Sequence, residues 1–97
     1  MDNNYLPERV EKELKIFAKN NQVEKVILFG SRAKGCHTER SDVDIAVIGG
    51  KFDNFYSDVQ DNINSLLMFD IINMDEKISD ELRGEIERYG LVIYEKN

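Results

Sequence analysis

Three observations predict a small α/β fold in which a mixed sheet is covered by helices. Apolar residues recur at helical spacing in three segments, four short apolar runs stand between and after them, and the two kinds of segment alternate along the chain. Such alternation implies a mixed or parallel sheet with helices packed against it.

Leu6, Val10, Leu14 and Phe17 lie four, four and three residues apart, so residues 6–20 read as an amphipathic helix entered at Pro7 and stopped by Asn20-Asn21. Residues 23–29 are a β-branched-rich strand ending in Gly30-Ser31, where a short helix can begin, and the basic stretch Arg32-Ala33-Lys34-Gly35 follows as a turn. Residues 42–48, Asp-Val-Asp-Ile-Ala-Val-Ile, form a second strand closed by Gly49-Gly50, and alternation points Asp42 and Asp44 to one face. Phe55, Val59, Ile63, Leu66 and Leu67 place a packing helix over about residues 53–65, followed by a third strand over 66–73 whose apolar run Asp70 interrupts. Ser79 is the expected N-cap of a helix that carries Asp80 and Glu81 at its positive end, buries Ile78, Leu82, Ile86 and Tyr89, and ends at Gly90. Residues 91–94 are the last strand.

No linker or repeat divides the chain, and 97 residues suit a single domain spanning 1–97 with a modest core. A net charge of −6 repels phosphate backbones, which disfavours a nucleic-acid scaffold and points to no direct nucleic-acid partner. Cys36 is the only cysteine and His37 the only histidine, too few for a disulfide or a zinc shell, and this fits a reducing cytoplasm. No apolar stretch reaches membrane-spanning length and the first residues carry no leader pattern, so a soluble, unsecreted protein is expected.

An Asp-x-Asp pair is expected by chance among nine aspartates and is commonly a solvated turn. Asp42 and Asp44, however, share one strand about 6–7 Å apart along the backbone, close enough to converge on divalent cations that demand oxygen ligands. Gly30-Ser31 ends a strand and can turn backbone N–H groups and a hydroxyl toward a phosphate, although a strand-ending turn is the commoner role of such a pair. It is no Walker A loop, because Cys36-His37 stands where Lys-Ser/Thr belongs. Arg32 as a planar fork and Lys34 as a point charge are candidate triphosphate ligands, or else solvated surface. Asp70, between Phe69 and Ile71-Ile72, is compensated by a cation or faces solvent on an edge strand.

Taken together, Gly30-Ser31-Arg32-Ala33-Lys34-Gly35 and Ser41-Asp42-Val43-Asp44-Ile45-Ala46-Val47 resemble the signature of the minimal nucleotidyltransferases, relatives of DNA polymerase β, in which a Gly-Ser pair precedes Asp-x-Asp by ten residues. Ten residues separate Ser31 from Asp42. The resemblance covers nearly the whole chain and implies a polymerase β-like nucleotidyltransferase core. It implies that Gly30 and Ser31 hold a triphosphate, that Asp42 and Asp44 ligate magnesium, and that Asp70 is the third metal-binding carboxylate, with Asp75 the rival for that place. Lys34 departs from the family's arginine, keeping the charge but not the fork.

The resemblance further implies an antitoxin paired with a HEPN-domain ribonuclease toxin, transferring AMP from ATP to a tyrosine of that toxin. A non-catalytic module that neutralises its partner by complex formation is the alternative. A standalone enzyme acting on a small molecule or RNA end is disfavoured by size and acidity.

Overall fold

The structure is a computed structural model and describes residues 5–63 and 65–96. Helix α1 (Glu8–Asn20) starts after Pro7, whose carbonyl accepts from the Glu11 N–H at 3.1 Å, and it buries Val10, Leu14 and Ala18. Its end is pinned by Asn21, whose side-chain amide donates to Phe17 O at 2.9 Å and to Asp58 Oδ2 at 2.8 Å. The chain then reverses through Gln22 at φ +60°, and the Val23 N–H returns to Ala18 O at 2.9 Å. Val23 is therefore fully buried but spent on the turn, and strand β1 (Lys25–Phe29) starts two residues later than its apolar run.

The expected turn after β1 is a one-and-a-half-turn helix, α2 (Gly30–Lys34), closed by Gly35 in the left-handed conformation at φ +78°. Strand β2 (Val43–Ile48) follows a largely exposed loop and leads into α3 (Phe52–Asn62), which buries Phe55 and Val59. The expected helix ran to residue 65; it ends at Asn62, and residue 64 lies outside the described residues. Strand β3 (Phe69–Asn73) also starts later than expected, because Leu66 and Met68 are exposed and belong to the approach to the sheet. Ser79 caps α4 (Asp80–Tyr89), its Oγ accepting from the Leu82 N–H at 3.1 Å, and β4 (Leu91–Glu95) completes the chain.

The sheet has the order β3-β2-β1-β4, with β2 and β4 antiparallel to β1 and β3 parallel to β2. Alternation along β2 divides its side chains between two layers. Val43, Ile45 and Val47 join Leu14, Val59 and Phe55 in the main core beneath α1 and α3. Ala46 turns the other way and meets Phe29 and Ile86 in a smaller cluster under α4. Asp44 shares that second face with Ala46, on the side of the sheet where α4 packs over β1.

Candidate active site

Parallel pairing of β2 and β3 sets Asp44 directly beside Asp70, and antiparallel pairing of β2 with β1 sets Asp44 beside Phe29, the residue before Gly30. Three segments distant in sequence thus meet at Asp44. Its pKa is raised from 3.8 to about 6, first by burial and then by the charges of Asp70 and Asp42, by its hydrogen bond to Asp70, and by Glu85. Asp42 lies one residue before β2 and is exposed, as is Asp70 on the edge strand. For Asp70 exposure removes the desolvation problem that a buried carboxylate would pose, and its register opposite Asp44 is what distinguishes it.

Gly30 explains how Asp44 fits. Its φ is +76°, and a Cβ there would overlap Asp44 Oδ2, so only glycine allows the carboxylate to lie against the backbone at the start of α2. Ser31 is the next residue of α2, half-buried, and its carbonyl accepts from the Cys36 N–H at 3.1 Å. Lys34, at the end of α2, approaches α4: its Nζ is 3.7 Å from Glu85 Oε2 and 5.0 Å from the centre of the Tyr89 ring.

Arg32 is placed differently from its expected role as a triphosphate ligand. It is 2% exposed, and burial lowers its pKa. The Nε donates to Ser41 O at 3.1 Å, Nη1 to Tyr5 O at 3.0 Å, and Nη2 to Glu39 O at 3.1 Å and Thr38 O at 3.4 Å. Four of its five N–H groups are committed to backbone carbonyls of the chain itself. Asp75 is likewise committed, accepting from the Gly49 N–H at 2.7 Å beyond the far end of β2, which leaves Asp70 as the carboxylate beside Asp44. Glu85 escaped the sequence reading because it reaches the site across space from an exposed helix face, with no local pattern to mark it.

The donor chemistry suits a hard divalent cation: carboxylate oxygens of Asp42, Asp44 and Asp70 whose charges meet at Asp44, with the nearby Lys34 engaged by Glu85. Among the described residues no three His, Cys, Asp or Glu side chains close into a finished metal cage as they stand. Asp42 lies one residue before β2, and its charge is among those that act on Asp44.

The model of the polymerase beta nucleotidyltransferase family matches residues 11–97. Among solved structures, a toxin–antitoxin structure with AMP-PNP is 18% identical with a TM-score of 0.65, over 89% of this chain and 73% of that one. The MNT antitoxin in complex with a tri-AMPylated HEPN toxin from Shewanella oneidensis is 16% identical with a TM-score of 0.64, over 90% and 71%. A putative nucleotidyltransferase from Sulfolobus solfataricus is 21% identical with a TM-score of 0.52, over 91% and 82%. At these identities the likeness establishes a shared fold. No curated protein matches the chain. Among the described residues no helix is long and apolar enough to cross a membrane.

Proposed function

The chain belongs to the polymerase beta nucleotidyltransferase family, and we propose that it is a magnesium-dependent antitoxin that transfers AMP from ATP to a tyrosine of a HEPN-domain toxin. The observation that carries the reading is the junction of Gly30, Asp44 and Asp70, where a strand-to-helix turn that can receive phosphate abuts a carboxylate pair. The AMP-PNP and tri-AMPylated HEPN toxin present in structures of the same fold support the nucleotide and the acceptor. A cytoplasmic setting, where ATP and magnesium are at hand, follows from that substrate.

In this reading Asp42 and Asp44 would hold the metal ions and Asp70 would complete their ligand set. Divalent cations held there would supply positive charge against that which builds on the entering and leaving oxygens during an in-line displacement at the α-phosphorus. Gly30 and Ser31 receive the triphosphate, and Lys34 supplies a positive charge once it exchanges Glu85 for phosphate oxygens. The acceptor oxygen bonds to the α-phosphorus as the bond to the β-phosphate bridge breaks, pyrophosphate leaves with the electron pair, and Asp70 receives the hydroxyl proton. Arg32 takes no part in binding.

Intact-mass analysis of the co-purified toxin after incubation with ATP and magnesium is the test. AMP-sized additions that disappear with Asp42→Asn/Asp44→Asn are expected. A stable complex whose toxin mass never changes would instead make the chain a non-catalytic neutralising module.

A further inference from the structure

Arg32 is the most deeply buried charged side chain among the described residues, and the carbonyls it binds fall in three places. Tyr5 O precedes α1, Thr38 O and Glu39 O lie in the middle of the loop between α2 and β2, and Ser41 O belongs to the residue immediately before Asp42. That loop is largely exposed and has no apolar anchor; besides Arg32 its ties include Thr38 N–H to Ser41 Oγ at 2.9 Å and Arg40 N–H to Thr38 Oγ1 at 3.3 Å. The β1–β2 ladder reaches only Phe29 and Asp44; the peptide after Asp42 is held from the β3 side, Val43 N–H donating to Met68 O at 2.8 Å, and the peptide before it by Arg32, whose Nε is 3.1 Å from Ser41 O.

We infer that Arg32 is a positioning residue: its guanidinium fixes the path of the loop and thereby the place at which Asp42 offers its carboxylate to a divalent cation. The inference rests on the metal-dependent reading of the site but concerns the placement of one ligand rather than the identity of the acceptor. The planar fork matters as much as the charge, because one compact ammonium cannot span four carbonyls on three stretches of chain. Ser41 braces the same loop from its solvent side through Thr38.

Manganese binding, followed by electron paramagnetic resonance in the absence of nucleotide, separates this role from a phosphate contact. Arg32→Lys and Ser41→Ala are compared with the wild type after circular dichroism establishes that each is folded. Arg32→Lys should bind manganese about 10–100-fold more weakly, as loss of a group that orients a metal ligand generally does. Ser41→Ala should shift in the same direction by less, and ATP affinity at saturating manganese should be unchanged in both. Folded variants with wild-type manganese affinity, a loss confined to ATP affinity, or a wild type that binds no manganese would each overturn the inference. Should Arg32→Lys fail to fold, Arg32→Gln, which keeps two N–H donors without the fork, takes its place and should weaken manganese binding likewise. A wild type that leaves the toxin unmodified while the manganese ranking holds removes the transfer reading and keeps the positioning role.

Discussion

Asp44 shows how one side chain is governed by contacts that its own neighbours in sequence do not make. Gly30 gives it room, β3 places Asp70 at its side, and the combined burial and repulsion hold its pKa near 6 in the metal-free protein, above the 3.8 of an unstructured aspartate. Between those two values the folded state keeps a proton that the unfolded state has released, so stability falls as pH rises through that window. Above it the ionised Asp44 costs on the order of 1 kcal/mol once solvent screening on its open side is allowed for. In chelator, Asp44→Asn should therefore melt above the wild type at about pH 7.5, with the advantage gone below about pH 4. A variant less stable than the wild type at the higher pH would mean that this carboxylate has a stabilising partner.

At the scale of elements, stability is concentrated where helices meet the main core. Phe55 is fully buried under α3, whereas its neighbour Tyr56 is 42% exposed. Phe55→Ala should lower the unfolding free energy by about 3–5 kcal/mol, a large share of the roughly 5–15 kcal/mol typical of a domain, and Tyr56→Ala should change it little. Urea denaturation checks this, and equal losses at the two positions would place the buried face of α3 elsewhere. The same periodicity made the helices legible in the sequence: Val10 and Leu14 in α1, Phe55 and Val59 in α3, and Ile86 behind the Ser79 cap are buried as the spacing expects, whereas Tyr89, assigned to the same stripe, is exposed beneath Lys34. Apolar runs located the strands but misjudged two beginnings, because Val23 is buried by a turn and Leu66 and Met68 are not buried at all. The side chain of Arg32 was misread for a deeper reason: its partners are backbone carbonyls, which leave no trace in residue identity. Likewise, the pairing of Asp44 with Asp70 and of Lys34 with Glu85 depends on strand register and helix packing, which local pattern does not encode.

At the scale of the molecule, a chain of net charge −6 has gathered several of its carboxylates at one end of the β2–β3 pair, beside the turn that follows β1. That concentration suits cations and a triphosphate that brings its own counterions, and it does not suit a bare polyphosphate backbone. An acceptor carried on another protein is consistent with that charge. The most direct test of nucleotidyl transfer is to offer the wild-type chain and the toxin proposed as its partner ATP labelled either at the α- or at the γ-phosphorus. Label from the α position should become covalently attached to the toxin while none arrives from the γ position; attachment of γ-label, or of neither label within a stable complex, would contradict the account.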